Sequence, residues 1–133
     1  MRADLDYSTG LYPPEGDPPF QWTRQRAVFV VPVEKRWMAL TVLVNHPDVG
    51  QKPVEVKVWA DRKLRLSTRL SSSEPVTEYI PAGDGEKRMM LETWVNRTAH
   101  PSDFGSNDQR ELGLWVRWTF VDVPPPNATI ARH

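Results

Sequence analysis

The sequence predicts an all-β fold, an antiparallel jelly-roll-like β-sandwich with an extended Pro-rich N-terminal arm. Three observations carry that prediction. Thirteen prolines and seven glycines in 133 residues punctuate strands and interrupt helices. Short apolar runs recur along the chain with turn residues between them, the pattern of a sandwich or barrel. No long segment repeats its apolar residues with the helical period of 3.6.

Taken in order, residues 1–25 fit no strand, because Pro13, Pro14, Pro18 and Pro19 stand among Tyr12, Phe20 and Trp22. Such a segment reads as an extended arm lying across a sheet and burying its aromatics there. The strand-like runs are Arg26 to Val33, Trp37 to Asn45, Val54 to Ala60, Leu64 to Leu70, Val76 to Ile80, Lys87 to Asn96 and Leu112 to Asp122. Turn chemistry separates them at Glu34-Lys35, His46-Pro47-Asp48-Val49-Gly50, Asp61-Arg62-Lys63, Ser71-Ser72-Ser73 and Ala82-Gly83-Asp84-Gly85. Residues 97–111 form the longest loop, and its one candidate helical turn follows Ser106, which has Gln109 at capping-box spacing. The expected organisation is an arm over 1–25, a sandwich over 26–123 and a tail or linker end over 124–133.

Composition excludes several classes. Seventeen basic residues balance seventeen acidic ones, so no net field attracts nucleic acid or anionic lipid. Without cysteine there is no disulfide framework, thiolate zinc site or thiol nucleophile. No run approaches the roughly 18 apolar residues of a membrane span, and Met1 to Gly10 lacks the pattern of a signal peptide. Neither nucleic acid nor direct membrane insertion is expected.

The strand period of two assigns each side chain to a face. In Leu112 to Asp122 the apolar face is Leu112, Leu114, Val116, Trp118 and Phe120, which leaves Trp115 beside Arg117 and Thr119. Val54, Val56 and Val58 place Trp59 with Glu55 and Lys57. Met38, Leu40, Val42 and Val44 place Trp37 with Ala39, Thr41 and Leu43. Met89, Leu91 and Val95 place Trp94 with Glu92 and Asn96. Four of the six tryptophans therefore fall on the polar phase of their strands. Tryptophan among charged and amide side chains suits sugar binding, since a sugar's axial hydrogens pack on indole while polar neighbours bond its hydroxyls. The competing reading is that the arm covers these rings as a second packed layer.

Catalytic patterns are weak. Glycoside hydrolysis needs two carboxylates facing one bond about 5 to 9 Å apart, and Glu55, Glu92 and Asp122 are the candidates. His46 and His100 both sit in proline turns, and no nucleophile elbow, phosphate-binding loop or dinucleotide fingerprint is present. Two scattered internal histidines fall short of a zinc site. Asp103, Asn107 and Asp108 could wrap a calcium ion around the turn at Gly105, or serve as solvated and capping side chains. The expectation is no catalytic residue, no resident metal and no cofactor.

Two stretches carry a resemblance. Gly10-Leu11-Tyr12-Pro13-Pro14-Glu15, with Phe20-Gln21-Trp22-Thr23 and Arg26-Ala27, is one. Pro101-Ser102-Asp103-Phe104-Gly105-Ser106-Asn107-Asp108-Gln109-Arg110-Glu111-Leu112-Gly113 is the other. Together, over residues 10–122, they resemble the jelly-roll, carbohydrate-binding-module-like accessory domains of bacterial membrane glycosyltransferases and cell-envelope polysaccharide proteins. The resemblance implies an extracytoplasmic setting when such a domain is part of a larger protein. It points at Glu15, Trp22, Asp108 and Arg110, either with Trp22 under a sugar whose hydroxyls Arg110 and Asp108 bond, or with Arg110 clamping Glu15 and Asp108 capping. The expected function is non-catalytic glycan binding, with an oligo- or polysaccharide held by Trp37, Trp59, Trp94, Trp115, Glu92, Arg117 and Arg110. A module docking on a membrane glycosyltransferase-type partner and a small glycoside-active enzyme are the alternatives.

Overall fold

The computed structural model describes residues 4–83 and 87–128. Residues 1–3 of the expected arm, Asp84 and Gly85 of the expected turn, and residues 129–133 of the expected tail lie outside them. The strands are β1 (Asp4–Leu11), β2 (Gln21–Pro32), β3 (Trp37–Leu43), β4 (Val54–Ala60), β5 (Lys63–Leu70), β6 (Val76–Pro81), β7 (Arg88–Val95) and β8 (Trp115–Val121). All pairings are antiparallel. They form one sheet in the order β5-β4-β7-β2-β8-β3-β6, with β1 added alongside β2, and the sheet is nearly closed into a barrel.

Long β2 joins the two halves of this sheet. Gln21 and Trp22 pair with Val116 and Trp115 of β8, and Arg26 to Pro32 pair with β7. At the crossover Thr23 is buried and doubly bonded. Its N–H donates to the Leu114 carbonyl at 2.8 Å, and its Oγ1 accepts from the Leu114 N–H at 3.0 Å. Gly113 passes so close that a Cβ there would lie 2.3 Å from the Arg24 carbonyl oxygen. A side chain is sterically barred at this position.

The strand faces follow the period of two. Ala27, Phe29 and Val31, Met38, Leu40 and Val42, Val54, Val56 and Val58, Met89 and Leu91, and Val116, Trp118 and Phe120 all turn into one continuous core. At its centre Phe29 stacks on Trp118 with ring centroids 5.2 Å apart. The β4–β5 connection is a two-residue hairpin turn in which Asp61 and Arg62 both have positive φ, 49° and 71°, the twist-matched geometry of a tight hairpin. Asp61 extends the ladder past β4, donating its N–H to the Met90 carbonyl and accepting the Met90 N–H on Oδ1.

The N-terminal expectation needs correction. Residues 1–25 are not a strandless arm, because Asp4–Leu11 is a strand and β2 already begins at Gln21. Among the described residues of this segment only the stretch between the two strands is irregular, with a tight turn closed by reciprocal backbone bonds between Glu15 and Phe20, each 2.9 Å. Asp4, Asp6 and Gly10 disguise β1, being residues that strands disfavour. Register shifts on either side of Thr9 break its periodicity further. Gly10, at φ 76°, lies against Arg26, where a Cβ would come within 2.1 Å of the carbonyl oxygen.

The long loop also differs from expectation. Its helical turn is a single 3₁₀ turn over Pro101–Phe104, ended by Gly105 in the left-handed region. Proline at the first helical position is the stronger start signal, since its missing N–H costs nothing there. Ser106 does not cap a helix; its Oγ instead accepts the Asp108 N–H in a local turn.

Candidate functional site

The four polar-phase tryptophans stand on two separate outer faces. Trp59 on β4 and Trp94 on β7 share one, because Trp59 is in register with Glu92 and Lys57 with Trp94. Trp37 on β3 and Trp115 on β8 share the other, on a sheet half where Leu43 opposes Trp115 and Val121 opposes Trp37. All four are half-buried, neither in the core nor fully in solvent.

On the first face Trp59 borders a shallow open depression of about 300 Å³, together with Arg26, Arg62, Met90 and Glu92. Glu92 stands opposite Trp59, and Arg26 reaches diagonally across from β2 to pair with it at 2.8 Å. Arg62 arrives from the hairpin turn. The depression thus combines one indole edge or face with a carboxylate acceptor and two guanidinium donors. Trp94 is differently placed, since Lys57 Nζ lies 5.7 Å from its ring centroid, a cation–π contact that occupies the indole face.

On the second face a residue of the N-terminal segment covers one of the four rings. Phe20, just ahead of β2, stacks on Trp115 at 5.2 Å between centroids. Trp22, the register partner of Trp115, is only 8% exposed. Trp37 lies between Pro81 and Val121 of its neighbouring strands, and Tyr79 pairs with Ala39. Arg117 sits opposite Thr41, whose hydroxyl is bonded to that of Thr77 at 2.8 Å. Arg117 and Glu92, on different faces, do not belong to one site.

The two segments that carry the family resemblance meet in a side-chain clamp. Arg110 donates Nη1 to Glu15 Oε2 at 2.8 Å and Nη2 to Asp108 Oδ2 at 2.7 Å. Its Nε and backbone N–H both donate to Asp108 Oδ1 at 3.0 Å. The Tyr12 ring has two guanidinium neighbours, Arg24 at 5.2 Å and Arg110 at 5.4 Å. Hydrogen bonds from Arg110 lower the Asp108 pKa to about 2, and those to Asp108 and Glu15 raise that of Arg110. Arg110 and Asp108 therefore bond to one another and to Glu15. Trp22 stands apart from them, in the wall of a cavity.

That cavity, of about 390 Å³, is one the sequence did not single out. The β3–β4 loop contributes His46, Pro47 and Val49, and the β7–β8 loop contributes Pro101, Phe104 and Leu112. The two similar stretches that begin His46-Pro47 and His100-Pro101 both supply wall residues. His46 is 2% exposed, and its Nε2 lies 3.0 Å from the Arg97 carbonyl. Burial depresses its pKa, so the ring is neutral near pH 7. Beside it Arg97 pairs with Asp48 at 3.0 Å and donates to the Lys52 carbonyl.

Glu55 and Glu92 do not face one bond. Glu55 pairs with Arg69 and stands four strand positions from Trp59, the register partner of Glu92. That is roughly 13 Å along the strand, too far for two carboxylates to act on one bond. Both oxygens of Asp108, one of the three side chains considered for a calcium ion, accept hydrogen bonds from Arg110. Among the described residues no group of three or more acidic, histidine or cysteine side chains comes together. No helix among them is long and apolar enough to cross a membrane.

No protein-family model, no curated protein and no solved structure matches this chain.

Proposed function

We propose that this protein is a non-catalytic glycan-binding domain that takes an oligo- or polysaccharide on the outer face of β4, β7 and β2. The observation that carries the reading is the Trp59 depression, where an accessible indole lies beside Glu92, Arg26 and Arg62. A pyranose ring set against Trp59 buries its apolar face there. Its equatorial hydroxyls then donate to Glu92 and accept from the two guanidinium groups. Trp94 extends the platform for a longer chain, with Lys57 moving aside. The jelly-roll form of the sandwich, an envelope setting and attachment to a glycosyltransferase-type protein belong to the same proposal, on the strength of the resemblance.

A second reading has its own observation. The outer face of β3, β6 and β8 brings together Trp37, Ala39, Leu43, Tyr79, Pro81 and Val121 with few charges among them, which suits a protein partner better than a sugar.

Intrinsic fluorescence titrated across a panel of soluble glycans separates the two. Glycan binding predicts a saturable change with one glycan class that disappears in Trp59→Ala and survives in Trp37→Ala. Silence across the panel, with Trp59 accessible to acrylamide, overturns it in favour of docking. Self-association lost in Trp37→Ala would then identify the docking face.

A further inference from the structure

We propose that the glycan taken on the Trp59 face is acidic, a chain of uronic acid residues with one carboxylate received by the Arg62 guanidinium. This inference rests on the glycan reading above and names the class of sugar. It starts from the charges around the depression that are already matched. Glu92 is held by Arg26 at 2.8 Å, so these two lining residues neutralise each other. Asp61, beside Arg62 in the turn, accepts the Met90 N–H on Oδ1. Arg62 lines the same depression, and among the described residues no carboxylate forms an ion pair with it. A neutral sugar leaves that cation unmatched, whereas a carboxylate meets its fork with two parallel hydrogen bonds.

The turn supplies an independent observation. A two-residue hairpin turn with both φ values positive is the usual place of Asn-Gly or Asp-Gly. Asp61 fits that pattern, but Arg62 stands at φ 71°, where glycine would be free of strain. Such an outlier marks a side chain with a task of its own, and here that side chain reaches the depression at Trp59. Lys57 repeats the arrangement about 7 Å further along β4. Its Nζ lies against the Trp94 indole, and Glu55, two residues before it, is held by Arg69 at 3.3 Å. Two cations without carboxylate partners among the described residues thus stand with two indoles on one face, which suits a chain bearing several acidic rings. Glu92 offers an acceptor to sugar hydroxyls, as it does not to a phosphodiester, and this favours a glycan over a single-stranded nucleic acid.

The test titrates the full chain with tetrasaccharides of galacturonic acid, mannuronic acid and hyaluronan, each beside its carboxyl-reduced form, read by calorimetry and tryptophan fluorescence. The expected result is saturable binding of at least one acidic probe, about tenfold or more tighter than its reduced form. That preference shrinks as NaCl rises from about 20 to about 300 mM. Trp59→Ala abolishes the binding. Arg62→Gln cuts the preference for acid to below about threefold, and Arg62→Gly, which also relieves the positive φ, does the same. Lys52→Gln makes the same charge change beyond the opposite end of β4 and leaves the preference intact. Equal binding of an acidic probe and its reduced form, both lost in Trp59→Ala, overturns the acidic class while the glycan reading stands. Silence with every acidic, reduced and neutral glycan overturns both. An acid preference that survives Arg62→Gln overturns the role of Arg62 and with it the proposal. Tighter binding of a thymidine decanucleotide than of every uronate overturns it in favour of nucleic acid.

Discussion

Arg110 Nη1 and Glu15 Oε2 meet at 2.8 Å although 95 positions separate them in sequence. This contact fastens the turn before β2 to the loop before β8, and the same guanidinium also holds Asp108. Both segments lack a regular ladder, so side chains supply the partners that strands would otherwise provide. The residues most suggestive of ligand binding in these motifs are thereby engaged within the protein.

The clamp can be read by hydrogen exchange. In Arg110→Met the amides of Glu15 and Phe20, which close the turn, are expected to exchange about five- to tenfold faster, a local loss on the order of 1 kcal/mol. Unchanged protection at both amides would show that the backbone bridge holds the turn without Arg110.

The Thr23 crossover is the most sterically constrained point of the fold. Gly113→Ala forces a Cβ to within 2.3 Å of a backbone carbonyl and is expected to cost about 2 to 4 kcal/mol in a denaturant melt. Thr23→Val keeps the shape but strands the Leu114 N–H, for an expected loss of about 1 to 3 kcal/mol. A melt of Gly113→Ala within 0.5 kcal/mol of wild type, about the scatter of a neutral surface change, would contradict this account.

Arg62 links stability to the proposed sugar site. It holds a positive φ that glycine adopts freely, so Arg62→Gly is expected to stabilise the hairpin by roughly 0.5 to 1 kcal/mol. The same change removes a donor from the Trp59 depression and should weaken glycan binding. Higher thermal stability together with undiminished glycan affinity would remove Arg62 from the site.

Acid sensitivity should come in two windows. His46 has a folded pKa below its ordinary 6.5, so the unfolded chain binds its proton first and stability falls as pH drops below that value. Asp108 has its pKa lowered from 3.8 to about 2, so its contribution is complete above pH 3.8 and is lost as pH falls through about 2. Urea melts across pH 7 to 2 test both, with His46→Gln expected to flatten the upper window alone. An upper window that persists in His46→Gln would assign it to another group.

The second outer face offers a control for ligand binding. Trp115→Ala removes the ring on which Phe20 stacks and should destabilise the protein by about 1 to 3 kcal/mol, while glycan binding at Trp59 persists. Loss of glycan binding in a folded Trp115→Ala protein would move the sugar to the β3–β8 face.

The sequence by itself located strands β2 to β8, with β2 only from Arg26 onward, and in β3, β4, β7 and β8 it determined which way the side chains point. Alternation is a local property: Val54, Val56 and Val58 must share a face whatever packs above them, and the same holds for Leu114, Val116, Trp118 and Phe120. What covers an outer face is a long-range matter, and only the tertiary structure decided it. Phe20 closes over Trp115, the β7–β8 loop closes around Trp22, and Trp59 is left bordering an open depression, although local pattern treats Trp59 and Trp115 alike. Strand β1 was hidden for the same reason, since its pairing with β2 outweighs the weak strand preference of Asp4, Asp6 and Gly10. The cavity at His46 arises where two loops about 50 positions apart converge, and no local period records such a meeting.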